Sequence, residues 1–151
     1  MGVMQNTDEY YMGLALKEAA MAFELGEVPV GAVIVCSGRV IARAHNLTER
    51  LTDVTAHAEM QAITSAAASL GGKYLTDCTL YVSLEPCVMC AGALKWAQLQ
   101  GLVYGASDPK QGFTLIKDRL LHPKTLVKSG VLADESAGLL TAFFQSRRNT
   151  R

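Results

Sequence analysis

A chain of 151 residues, half of them apolar, suits one compact domain over 1–151, since at that length about 70% of the unfolded surface can be buried. Its 14 basic and 14 acidic side chains cancel, which leaves the attraction of any polyanion to a local patch of charge. No run approaches the roughly 18 apolar residues of a membrane span, the N-terminus lacks a secretory pattern, and four cysteines are too few for a disulfide-built fold. The expectation is a soluble cytoplasmic protein with no membrane contact.

In chain order, Asn6, Thr7 and Asp8 can cap a first helix whose apolar residues Met12, Ala15, Leu16, Ala19, Ala22 and Phe23 follow helical spacing, with Gly26 as its stop. VPVGAVIVC (28–36) reads as a β-branched strand, and SGR turns it back into VIARAHN (40–46) as a hairpin. A second helix is expected over 56–70, with Met60, Ile63, Ala67 and Leu70 inward and Gly71-Gly72 as its end. TLYVS (79–83) is a buried strand, and Pro86 fits the start of a helix over 87–98. A strand over 101–106, a short helix over 114–121, a weaker strand over 125–130 and a helix over 134–148, acidic at its start and basic at its end, complete the chain. Helices recurring between buried strands predict three layers, helix, sheet and helix. Tyr11, Phe23, Trp96 and Phe143 lie at core spacing, and His45 and His122 are expected in loops or at the surface.

Chemistry concentrates at two helix starts. Cys87 and Cys90 are three apart where a helix follows a strand, so both sulfurs leave one side of the first turn. Alone, such a pair is ambiguous between metal, redox and incidental cysteine. His57 opens the other helix and can add a neutral nitrogen ligand. Three protein ligands leave tetrahedral zinc one position for water, whose pKa the ion brings from about 15.7 to about 7. Cys36 and Cys78 are the only further thiols that could close the site, but both border apolar strands and read as small buried hydrophobes. Glu59 shares a cavity with His57 if that histidine sits at the helix start, and then reads as a general acid and base.

The combination His57-x-Glu59 followed by Pro86-Cys87-x-x-Cys90 is the known signature of zinc-dependent nucleobase deaminases. Among these the sequence resembles the bacterial tRNA-specific adenosine deaminases over nearly its whole length. The resemblance is carried by VPVGAV (28–33), His45-Asn46, TAHAE (55–59), LYVSLEPCVMCAGA (80–93), YGASDPKQG (104–112) and GVLADESAGLLTAFFQSRR (130–148). It implies a three-layer α/β/α cytidine deaminase-like fold with a central five-stranded mixed sheet, and one Zn2+ per chain held by His57, Cys87 and Cys90. It further implies hydrolysis of adenosine to inosine at the wobble position of a tRNA anticodon loop, with Glu59 passing the water's proton to N1 and then to the departing ammonia. Substrate contacts map onto Asn46 and the backbone around Ala58, with Asp108 and Lys110 near the flanking nucleotides, and the family assembles as homodimers. Candidate phosphate-holding cations are Lys73, Lys110, Lys117, Arg119, Arg147, Arg148 and Arg151. The alternative is deamination of a free base such as guanine or cytosine, which shares the zinc signature but expects a C-terminal segment closing over a small ligand. A non-catalytic RNA-binding subunit keeping structural zinc would have no use for Glu59. Val54 stands where family members often carry proline, which predicts a looser loop into the site.

Overall fold

The computed structural model describes residues 7–149; the expected cap at Asn6 and the cation Arg151 lie outside them. The elements are α1 (Thr7–Glu24), β1 (Gly31–Cys36), β2 (Arg39–His45), α2 (Ala58–Leu70), β3 (Cys78–Leu84), α3 (Val88–Ala97), β4 (Gly101–Ala106), β5 (Leu126–Lys128) and α4 (Ala133–Asn149). One five-stranded sheet runs β2-β1-β3-β4-β5. β1 is antiparallel to β2 and β3, whereas β4 is parallel to β3 and β5, so the sheet is mixed as expected. Ser37 and Gly38 both take positive φ, 53° and 76°, which is the backbone a two-residue hairpin between β1 and β2 requires.

Alternation along β1 divides the core between the two faces of the sheet. Ala32 and Ile34, with Leu80, Val82 and Leu102, pack against Ala58, Ala62 and Ala66 of α2 and Ala91 and Leu94 of α3. Val33 and Val35, with Tyr81 and Val103, pack against Met12, Leu14 and Ala15 of α1. α4 lies against β4 and α1, where Phe143 meets Phe23 edge to face at 5.7 Å. The Asp8 carboxylate accepts from the Tyr81 hydroxyl and pairs with Lys128, joining α1 to β3 and β5. At Gly31 a Cβ would overlap the backbone of Ala15 and Ala19; overpacking of this kind costs about 1–3 kcal/mol, so glycine lets α1 cross the sheet at close range.

Three expectations are corrected. The inward face of α2 is the alanine stripe Ala58, Ala62 and Ala66, while Met60, Ile63 and Ala67 are only half-buried and Leu70 is exposed. Small side chains let this helix lie close on the sheet, and the larger ones go to its flank. Trp96 is likewise exposed, at 77%. The helix expected over 114–121 reduces to a single 3-10 turn at Phe113–Leu115. There the backbone finds partners outside itself: the Glu85 carboxylate accepts from Thr114 N–H and hydroxyl, and the Arg119 guanidinium donates to the carbonyls of His122, Pro123 and Thr125. β5 keeps only three residues, all exposed. No helix among the described residues is long and apolar enough to cross a membrane.

Candidate metal centre and substrate pocket

Two helix starts converge on one point. α2 begins after His57, in extended conformation (φ −69°, ψ 157°), and α3 begins after Cys87 (φ −75°, ψ 174°). Pro86 therefore precedes the N-cap instead of occupying the first turn. N-caps are ordinarily Ser, Thr, Asp or Asn, whose oxygen satisfies a free N–H of the first turn. Neither His57 nor Cys87 shows such a cap bond, and both helices direct the positive ends of their dipoles toward this site, which favours thiolate.

The donor geometry fits zinc. His57 Nδ1 lies 3.7 Å from Cys87 Sγ and 3.5 Å from Cys90 Sγ, and the three atoms lie within 4.8 Å of one another. Tetrahedral zinc, with about 2.3 Å to sulfur and about 2.0–2.1 Å to nitrogen, requires S···N edges of about 3.6 Å. This is the one such group found among the described residues. Cys36 and Cys78 face each other across β1 and β3, at the end of β3 remote from Cys87, and supply no fourth ligand.

Crowding these groups redistributes their protons. Hydrogen bonds from Cys90 and His57 drive the Cys87 thiol down to about 4, while the bond to Cys87 and burial push Cys90 upward. His57 is raised, chiefly by its bond with Cys87 and against the effect of burial. A divalent cation takes the place of such shared protons when it binds. Glu59, in the first turn of α2, is 4% exposed, and burial raises its carboxyl to about 7. A carboxyl poised there can both accept and return a proton near neutrality.

A cavity of about 400 Å³ opens beside the donors, lined by His57, Ala58, Glu59, Cys87, Asn46 and Asp108 and by the apolar Val28, Val30 and Leu84. The larger space, about 690 Å³, is an adjoining groove that shares Val28, Leu84, Asp108 and Gln111 and is bordered by Lys110, Phe144, Arg147 and Arg148. Of the residues singled out in the sequence, Lys110, Arg147 and Arg148 border the groove alone. Asn46 is 7% exposed; its amide donates to Val28 O at 3.4 Å and its oxygen accepts from Thr48 N at 3.3 Å. Ala58 is fully buried and its N–H, first in the helix, has no intrahelical acceptor. Asp108 Oδ1 accepts from the N–H of Lys110 and Gln111, each at 3.0 Å. Among the candidate cations, Arg119 is spent on carbonyls, and Arg147 donates to Gly26 O while stacking on Phe143 at 4.9 Å. Lys73 lies over the Tyr74 ring. His45 is tied to Glu18 at 2.8 Å.

The loop into His57 is held despite Val54. Asp53 Oδ1 accepts from Thr55 N at 2.8 Å and Thr55 Oγ1 at 2.7 Å, and His57 N donates to Thr55 O at 2.7 Å. Two buried carboxylates were not anticipated. Glu27, fully buried, accepts from Glu49 N and Arg50 N and fixes the turn after Asn46. Glu85, 3% exposed, does the same for the segment carrying Asp108. Their local signal was only an acidic residue set among apolar ones.

The cytidine and deoxycytidylate deaminase zinc-binding region matches residues 5–106. The chain is 47% identical to a tRNA-specific adenosine deaminase of Bacillus subtilis (strain 168), over 95% of this chain and 92% of that protein. It is 44% identical to the protein of the same name from Aquifex aeolicus (strain VF5), over 93% and 96%. A solved structure from studies of A-to-I editing by tRNA:A34 deaminases at the wobble position of transfer RNA superposes with a TM-score of 0.82 at 47% identity, covering 87% of this chain and 99% of that one. A guanine deaminase from Nitrosomonas europaea superposes at 0.77 with 27% identity, over 89% and 83%. With its donor set, its fold and these matches in agreement, the chain belongs to the zinc-binding cytidine and deoxycytidylate deaminase family, in the branch of the tRNA-specific adenosine deaminases.

Proposed function

We propose that this protein hydrolyses adenosine to inosine at the wobble position of a tRNA anticodon loop, releasing ammonia. One observation carries the choice of RNA over a free base: the base-sized cavity beside His57, Cys87 and Cys90 continues into a groove bordered by Lys110, Phe144 and Arg148. A free base needs only the first space. A base within a strand brings neighbours and phosphates, which the second can hold although the chain as a whole is neutral. Anticodon-loop bases are single-stranded, so extruding one costs only a few kcal/mol of stacking.

Each residue then has a task. Zinc, when held by His57, Cys87 and Cys90, supplies the polarisation that makes water nucleophilic near neutral pH. Glu59 takes one proton from the attacking water and passes it to N1 of adenine, where inosine keeps it, then takes the second from the new C6 hydroxyl and delivers it to the amino group as ammonia leaves. Val28, Val30 and Leu84 sandwich the ring, while the Asn46 amide and the Ala58 N–H read its polar edge. Asp108 and Lys110 stand at the mouth, where nucleotides flanking the target pass. tRNA places this work in the cytoplasm.

The test is a panel. An anticodon stem-loop with adenosine at the wobble position is expected to yield inosine by mass spectrometry, with free adenine, guanine, cytosine and cytidine left intact. Rapid loss of a free base with the RNA untouched would instead establish the small-molecule reading.

The same reading includes a homodimer. Leu70 (46%) at the end of α2 and Val88 (47%), Met89 (37%) and Trp96 (77%) on α3 are exposed large apolar residues, which a partner subunit would cover. Sedimentation of the wild-type chain as a dimer and of Trp96→Glu as a monomer is the expected result; a monomeric wild type excludes this arrangement.

A further inference from the structure

Glu85 is the last residue before the Pro86-Cys87 corner, and its carboxylate is nearly sealed from solvent. Oε1 accepts from Asp108 N at 3.0 Å; Oε2 accepts from Thr114 N at 2.9 Å and Thr114 Oγ1 at 2.8 Å. No ion pair to it is found among the described residues. Around it the chain closes tightly: Glu85 N donates to Ala106 O, Phe113 N donates to Pro86 O, and Cys87 pairs with Gly112 in an isolated bridge. A Cβ at Gly112 would overlap the carboxylate itself, so the segment can wrap Glu85 only because that position is glycine. Residues 108–114 are thus wound about a single buried anion, and this is the stretch that brings Asp108 and Gln111 to the wall shared by cavity and groove.

We propose that Glu85, which itself borders the base-sized cavity, acts as a positioning residue: by holding residues 108–114 it sets the wall that meets the target base and its flanking nucleotide. Three donors converge on two oxygens, and two of them, the Asp108 N–H on Oε1 and the Thr114 N–H on Oε2, cannot accept. An amide in place of the carboxylate keeps one acceptor and turns an NH2 toward one of those two N–H groups, so at least one of the backbone bonds that hold the segment is lost. A bond from N–H to a buried carboxylate is stronger than a neutral one, and a buried donor left unmet costs more than the bond itself was worth. The inference deepens the RNA reading of the pocket and rests on it.

The experiment compares zinc-replete wild type with Glu85→Gln on the stem-loop, reading KM and kcat separately, with backbone hydrogen exchange over residues 107–116 as a measurement independent of substrate. The variant is expected to keep about one zinc per chain, to exchange faster in that segment, and to lose kcat/KM mainly through KM, by about tenfold or more, the effect of one charge-assisted bond. Thr114→Val removes one donor and leaves Glu85 in place, so it serves if Glu85→Gln does not fold. Faster exchange there and a KM rise of about two- to fivefold are expected from one neutral-donor bond. Unchanged exchange and KM in the variants, or a loss confined to kcat, would overturn the assignment. A wild-type protein that leaves the stem-loop unconverted would overturn the RNA reading instead, and the exchange comparison would still decide whether Glu85 holds the segment.

Discussion

Glu59→Ala is expected to retain about one zinc per chain and to lose deamination by about 10²–10⁴-fold in kcat, the range that a positioned proton-transfer group contributes. The two effects separate because of where the side chain sits. Glu59 lies in the first turn of α2, two residues beyond the N-cap His57, with its carboxyl buried in the pocket. The donor group consists of His57, Cys87 and Cys90, so removing Glu59 leaves every ligand in place. Alanine also suits the position, since α2 already lies on the sheet through Ala58, Ala62 and Ala66. Metal content by plasma mass spectrometry and inosine yield measured on the same preparation check the prediction. Activity equal to wild type would remove Glu59 from the mechanism.

Cys90→Ala is expected to lose the metal as well, abolishing zinc binding and with it all turnover. Cys90 is fully buried at the third position of α3, where its sulfur reaches His57 Nδ1 at 3.5 Å. Two remaining ligands cannot hold zinc against solvent in a site built for three. Activity should fall about 10⁶-fold or more, to the uncatalysed background that marks the low end of enzyme rate enhancements. Because ligand binding to the folded state adds to its stability, the variant should also melt below the zinc-loaded wild type. Chelator-stripped wild type should match the variant in melting temperature and, unlike it, recover when zinc is returned. Full activity in the metal-free variant would contradict the assignment.

The zinc residues were legible in the sequence because metal chemistry demands particular residue types at particular spacings, and helix starts are where such groups can converge. The β1–β2 hairpin was legible for a similarly local reason, two residues able to take positive φ between apolar runs. What escaped notice depends on distant contacts. The apolar pattern of 114–121 looked helical, but Glu85, 29 residues upstream of Thr114, binds the Thr114 N–H and hydroxyl, and the Arg119 side chain turns back onto carbonyls of the turn that follows. Met60, Ile63, Ala67 and Leu70 share a helical face as predicted, yet that face is a flank, since the sheet accepts the smaller alanines. Trp96 reads as core by spacing alone; only the packed structure reveals that α3 turns it to the outside. Glu27 and Glu85 looked like ordinary acidic residues, because nothing nearby in sequence announces the N–H groups they bind.

Zinc K-edge X-ray absorption on the metal-replete protein tests the central claim most directly, since everything above requires three protein ligands and one position left to solvent. The predicted spectrum has two sulfurs at about 2.3 Å and two nitrogen or oxygen scatterers at about 2.0–2.1 Å, one of them replaced when a small anion is added. A shell of three sulfurs and one nitrogen that no added anion disturbs would mean a closed structural site, and would contradict the account.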